Sequence, residues 1–376
     1  HTRRRREDRG VVVCRDRPER VLPAARRAVD DGEECGVSTR VNVKSLGQGY
    51  ALDLGTATTR IDSGEQRFTQ STALAVDTKD DRVLAVGDKA RWMEGRTPER
   101  LKVLYPVQAG LVADDQNATR LLRMLLRESG FGPSRNRKWA VVCAPAQTSE
   151  IAVRSLSKVC HAVGMGKVRL LPRPLAAAIG LGIDVYQPRG ALIVDIGAGG
   201  TDITIVSMGG VVLTGRSTVC GQSLDGVIAR HLREQYNLAL ATRGAEKIKT
   251  ALAEAGAPGC RLEIRGLDVA TGVPRSLVVP PAELQEIVEH HLGTLAKTVS
   301  ATLERAPIEI IDDICDSGLV MTGHAALLHG LEEAFRKAVG LPVHIAENPD
   351  VAAINGAAHL LRNPWLLEEL DDVTIR

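Results

Sequence analysis

One short phrase occurs twice in this chain, and it constrains the fold more than any other feature. The first copy is Ala51-Leu52-Asp53-Leu54-Gly55-Thr56-Ala57-Thr58-Thr59, and the second is Ile193-Val194-Asp195-Ile196-Gly197-Ala198-Gly199-Gly200-Thr201. In each copy an apolar run enters an Asp, a Gly-bearing turn follows, and Thr opens a second β-rich run. The two Asp residues stand 142 positions apart (195 minus 53), about the length of one domain. A supersecondary unit repeated at that distance predicts two related halves facing each other across a cleft.

The repeated turn carries its own chemistry. A hairpin rich in Gly and Thr aims backbone N–H groups and hydroxyls at one spot, which makes an anion cradle. Two such turns predict a phosphate chain gripped by Gly55, Thr56, Ala57 and Thr58 on one side. Gly197, Ala198, Gly199, Gly200 and Thr201 grip it from the other. Asp53 and Asp195 then stand near a Mg²⁺ that keeps most of its waters, as that ion prefers. The plainer alternative is that each Asp only satisfies turn amides.

Composition narrows the class without selecting a partner. The chain has 376 residues, 44% apolar and 25% charged, as ordinary globular proteins have. Aromatics are only 3%, so the core must be aliphatic, and the net charge of +2 favours no class of ligand. Seven scattered cysteines include no C-x-x-C pair, which reads as free thiols in a reducing cytoplasm. No apolar run approaches the roughly 20 residues of a membrane span, and no signal-peptide pattern is present. Residues 1–45, rich in Arg, Asp and Glu, read as a disordered basic arm. Contact with anionic lipid or nucleic acid is the functional alternative for that arm. Across the chain, basic residues form no stripe interleaved with aromatics, which argues against nucleic-acid binding. His290 and His291 are sequence neighbours and cannot share a metal-binding helix face.

The periodicities alternate. Strands are expected at 50–54, 72–76, 83–86, 139–143, 168–171, 192–196, 203–206 and 319–322. Helices are expected around 121–126, 151–163, 174–180, 224–236, 245–255 and 281–303, with two more closing the chain. This predicts an α/β fold of two lobes, each a mixed sheet flanked by helices. Lobe I is expected at 46–184 with a small subdomain at 62–105. Lobe II is expected at 185–365 with an inserted subdomain at 225–317, before a tail at 366–376.

From about residue 49 to 362 the chain resembles the MreB/Mbl family of rod-shape-determining bacterial actins, within the actin and heat-shock-chaperone ATPase superfamily. Beyond the two repeated turns, the resemblance is carried by Val86-Gly87, Gly95-Arg96-Thr97-Pro98 and Gly110-Leu111-Val112-Ala113-Asp114. It continues in Pro174-Leu175-Ala176-Ala177-Ala178-Ile179-Gly180, Thr271-Gly272-Val273-Pro274-Arg275 and Gly356-Ala357. The resemblance implies an actin-like fold of four subdomains in a U, with ATP and Mg²⁺ in the cleft. It also implies filaments of the chain itself or of paralogous subunits, lying in the cytoplasm under the cell membrane and organising wall synthesis.

Several residues depart from the family's pattern. The family's Glu-Glu-Pro phrase reads Pro172-Arg173-Pro174 here, so Arg173 replaces the Glu that family members use to orient or activate the attacking water. A guanidinium keeps its proton at every accessible pH and cannot be a general base. Hydrolysis is therefore expected to be weak or lost. In the adenosine loop, Gly323-His324-Ala325 replaces three glycines, and the imidazole is expected to crowd the nucleotide. Ala198 and Gly200 vary the second phosphate loop, and Gln222 stands for a usual Asp. Glu246 and Lys249 match the family's nucleoside-side helix, whereas Ala251 replaces a usual acidic residue. The family's apolar membrane loop reads Phe131-Gly132-Pro133-Ser134-Arg135-Asn136-Arg137-Lys138, which favours electrostatic contact with anionic headgroups. A different reading of the same superfamily fold is a sugar kinase, for which Asp202 and Asp225 are the nearby candidate bases.

Overall fold

The computed structural model describes residues 49–131, 138–254, 261–328 and 331–370. The arm expected at 1–45 lies outside the described residues. The expected tail opens with a short helix, Leu366–Glu369.

Two five-stranded sheets share one plan. In the first, Tyr50–Leu54 is central. Thr58–Asp62 and then Arg67–Ser71 continue antiparallel on one side, while Lys138–Ala144 and Met165–Pro172 run parallel on the other. In the second, Ala191–Ile196 is central. Thr201–Ser207 and Gly210–Ser217 are antiparallel to one side, and Leu319–Thr322 and Val343–Ile345 are parallel to the other. The sequence repeat is therefore a repeat of topology. The two central strands are almost wholly buried, because helices cover both faces and only an apolar run fits such a place.

The expected helices form, with identifiable ends. Asp115–Glu128 starts where the Asp114 side chain accepts from Asn117 N–H at 3.0 Å, so one otherwise unpaired first-turn amide is satisfied. Glu150–Ala162 is capped by Ser149 in the same way. Gly221–Tyr236 stops at Asn237, which takes the left-handed conformation with φ 52°.

The two sheets meet around a pair of helices, Arg173–Gly180 and Ala352–Arg362. These join a core that also holds Ala51 and Val141 of the first sheet and Ile193 and Val206 of the second. The helices touch backbone to backbone. A Cβ on Gly356 would stand 1.8 Å from the Ala176 carbonyl oxygen, and one on Gly180 would stand 2.0 Å from that of Ala352. Only glycine permits the approach.

Each half also carries a small three-stranded sheet. Leu74–Asp77 lies between Arg82–Val86 and Leu101–Leu104, beside the helix Gly87–Met93. Leu262–Asp268 lies between Leu238–Ala239 and Pro274–Val279. That second small sheet, the helix Gly87–Met93 and the helix Ile308–Ser317 were not among the sequence expectations. Among the described residues no helix is long and apolar enough to cross a membrane, and Cys143, Cys160, Cys220 and Cys315 are free thiols.

Candidate functional site

The two repeated turns close with the same bond. Gly55 N–H donates to the Thr58 carbonyl at 3.1 Å, and Gly197 N–H donates to that of Gly200 at 3.0 Å. The turns face each other closely. A Cβ on Gly199 would lie 2.4 Å from Thr56 Oγ1 and 2.9 Å from Ala109 Cα, and Thr56 Oγ1 itself accepts from Gly110 N–H at 2.7 Å. The loop at Ala109–Gly110 therefore wedges between the hairpins. Both of its residues have positive φ, 50° and 76°.

Beneath the turns lies a set of paired charges. Arg173 opens its helix and reaches Asp53: Nε donates to Oδ1 at 3.1 Å, and Nη2 lies 2.9 Å from the same oxygen. The other Asp53 oxygen is 3.7 Å from Arg60 Nη1. Arg60 sits directly across from Asp53 in strand register, and its Nη2 donates to Asp350 at 3.2 Å. The second hairpin repeats the device one strand along. Asp202 faces Asp195 in register on one side and Arg216 on the other, and Arg216 Nη1 donates to Asp202 at 3.3 Å. Arg216 Nη2 then crosses to the Ala109 carbonyl, tying the second sheet to the wedge loop.

These surroundings set the protonation of the groups. Burial pulls Arg173 down, but Asp53 and then Asp195 outweigh it and hold the guanidinium above its ordinary pKa. Burial pushes Asp195 up to about 6; Arg173 opposes this, while Asp202 and Asp53 add to it. Asp202 is also raised, mainly by burial, against the pull of Arg216. Burial with the nearby Asp53 charge pushes the Cys143 thiol far up, so it is no nucleophile.

Asp53 and Asp195, expected from sequence to share one groove, flank one guanidinium. The expected Mg²⁺ would meet a cation already seated on Asp53. A water-ligated ion needs carboxylate oxygens free to accept from its waters, whereas Asp53 Oδ1 is taken by Arg173 and Oδ2 faces Arg60 at 3.7 Å; Asp195 Oδ1 accepts from Thr322 Oγ1 at 3.2 Å. No group of three or more His, Cys, Asp or Glu among the described residues is arranged to hold a metal.

The other expected residues spread along the groove. Lys249 Nζ donates to the Gly221 carbonyl at 2.7 Å and pairs with Asp225 at 2.7 Å, where Gly221 packs on Ala198 of the second turn. Glu246 is held by Arg91 and, at 3.3 Å, by Arg243. Since Arg91 belongs to the small subdomain of the first half, this pair spans the groove's rim. Burial raises Glu246, but hydrogen bonding and charge from Arg91 outweigh it and leave the carboxyl below its usual range. Gly323 has φ 84°, and a Cβ there would press within 2.7 Å of Asp195 Oδ1, so this glycine is required. Ala325 is buried, whereas the His324 side chain is exposed.

Arg60, Arg91, Arg216 and the wedge loop were missed as site residues from sequence. Arg60 and Arg216 sit in strands that already carry polar residues, Thr58-Thr59-Arg60-Ile61-Asp62 and Thr214-Gly215-Arg216-Ser217, so no local pattern singles them out. Phe131 tilts against Tyr50 with ring centroids 6.2 Å apart. The rest of its expected membrane-contacting loop, residues 132–137, lies outside the described residues. His290 is exposed, and His291 Nε2 lies 3.0 Å from Ser223 Oγ.

Comparison with known proteins bears on this arrangement. Residues 47–369 match the MreB/Mbl protein family model. The chain is 32% identical over 316 residues to the cell shape-determining protein Mbl of Bacillus cereus, covering 83% of this chain and 95% of that one. Its structure resembles that of MreB 5 of Spiroplasma citri bound to AMPPNP, with TM-score 0.80, 26% identity, and coverage of 85% and 97%. The fold likeness extends to the MamK double helical filament, with TM-score 0.67, 21% identity, and coverage of 83% and 98%.

Proposed function

The chain belongs to the MreB/Mbl family, and from that premise we propose that it is a nucleotide-binding actin-like subunit that assembles with itself or a paralogous subunit in cell-shape determination and wall morphogenesis. The observation that carries this reading is the pair of matched hairpins, closed by the same bond and aimed at one groove. Their amides, with Thr56, suit the phosphates, whereas the expected Thr201 hydroxyl is buried and donates to the Val219 carbonyl at 2.5 Å; Lys249, Glu246 and the Gly323 turn line the way to the nucleoside. The solved MreB 5 that this chain resembles holds AMPPNP. The reading places the chain in the cytoplasm, against the inner face of the membrane.

Hydrolysis is weak or lost in this proposal. Arg173 stands where a base or water-orienting group is needed, and it cannot take a proton. The sugar-kinase alternative gains no support: Asp202 is paired with Arg216 and Asp225 with Lys249, so neither is poised to deprotonate a hydroxyl. Assembly is supported by the hairpin Leu262–Val279, which exposes Leu267 and Val278 on its strands and Val269 and Val273 in its turn.

The test is co-sedimentation of purified protein with and without ATP, alone and mixed with a conventional family member, beside a phosphate-release assay. The expected outcome is nucleotide-dependent pelleting with little phosphate released. Phosphate release at the mixed partner's own rate by this chain alone overturns the hydrolysis part. Failure to pellet in any mixture overturns the assembly part.

A further inference from the structure

A metal in a phosphate site does two jobs: it offsets the charge of the phosphates, and it bridges them to protein carboxylates. In this groove both jobs already have an owner. Arg173 lies under the first turn, with Nη2 4.0 Å from where a Cβ on Gly55 would stand. Its Nη1 lies 3.8 Å from the corresponding position on Gly110 of the wedge loop. One edge of the guanidinium faces a single Asp53 oxygen: Nε donates to Oδ1, and Nη2 is ion-paired with the same atom. A planar fork with five N–H donors can grip a carboxylate along one edge and present another to phosphate oxygens.

The rest of the floor is arranged to match. Three carboxylates, Asp53, Asp195 and Asp202, lie beside three guanidinium groups, Arg60, Arg173 and Arg216. Arg216 reaches the second turn as Arg173 reaches the first: its Nη2 lies 3.0 Å from the Cβ position of Gly200. Each hairpin tip therefore has one permanent cation beneath it. These charges are held in a mostly water-excluded place, with only 14% of the Arg173 side chain and 8% of Asp53 exposed. A dication brought here meets a guanidinium that never loses its proton, on the carboxylate it would need.

We propose that Arg173 is a tethered counter-cation that replaces the divalent metal, so that this chain binds a nucleoside triphosphate free of Mg²⁺. The inference rests on the nucleotide-binding reading above and specifies which ionic form of the ligand the groove takes. It gives Arg173 a binding role rather than only the loss of a base.

The test is equilibrium binding of a fluorescent ATP analogue to the purified full chain, once in EDTA and once in excess Mg²⁺. The wild type is expected to bind with affinities within about threefold in the two buffers, and Arg173→Lys to behave the same way. Arg173→Gln, which frees Asp53, is expected to bind at least about tenfold more tightly with Mg²⁺ than in EDTA. Wild-type binding that falls about tenfold or more in EDTA overturns this inference and leaves the nucleotide reading standing. No binding by the wild type in either buffer overturns the nucleotide reading and this inference with it. The wild-type comparison decides the matter even if Arg173→Gln fails to fold.

Discussion

The floor and the rim of the groove are both bridged by arginine–carboxylate pairs, yet the pairs do different work. On the floor, Arg173 and Asp53 are almost out of water, and three aspartates answer three arginines. At the rim, Arg91 and Glu246 are 22% and 33% exposed, and each belongs to a different half. Breaking a buried pair leaves an uncompensated charge and is costly, whereas a half-exposed pair is screened and contributes little. The floor therefore carries the larger share of the stability that these pairs contribute. The rim acts as a weak clasp that can part without disturbing the floor.

Four experiments sharpen or break that contrast. The largest effect is expected at the contact behind both regions. Gly356→Ala drives a Cβ into the Ala176 carbonyl and should cost about 3 kcal/mol or more, read as a drop in the chemical-denaturation midpoint. Wild-type stability in that variant means the two helices can separate freely. Next is the floor: Arg173→Ala strands Asp53 with only the longer Arg60 contact and should cost about 3 kcal/mol. A loss below about 1 kcal/mol there says that water already reaches the carboxylate.

The rim gives a smaller effect. Glu246→Gln should cost roughly 0.5 kcal/mol near neutral pH. Since the folded-state pKa of Glu246 is depressed, its contribution is present above the usual glutamate pKa and is lost as pH falls through the folded value. The difference between wild type and variant should therefore vanish on acidification; a gap that persists in acid rules out the charge pair as its source. The smallest effect is that of salt. Raising ionic strength should increase protease cleavage at the rim while leaving the Arg173→Ala penalty unchanged, because exposed charges are screened and buried ones are not.

The hairpins were legible in the sequence because their turns demand particular residues. Gly55 leaves no room for a side chain, since a Cβ would stand 2.8 Å from the Thr58 carbonyl, and at Gly197 a Cβ would press to 3.0 Å from that of Gly200. The long helices were legible from their apolar spacing. The small sheet at 238–279 was not, because its strands are half exposed and lack a clean alternation. Arg60 and Arg216 escaped because their role depends on which strand lies alongside, and one sequence does not state register. His324, which the sequence expects to crowd the nucleotide, has its side chain exposed beside the buried Ala325.

The crossing of Arg173–Gly180 with Ala352–Arg362 has a mechanical consequence. Peptide rests on peptide at Gly180 and Gly356, with no side chains meshed at those two points. Any turn of one helix on the other runs about these two points, as a scissor joint turns on its rivet, and whatever lies between the tips sets how far the blades stay shut.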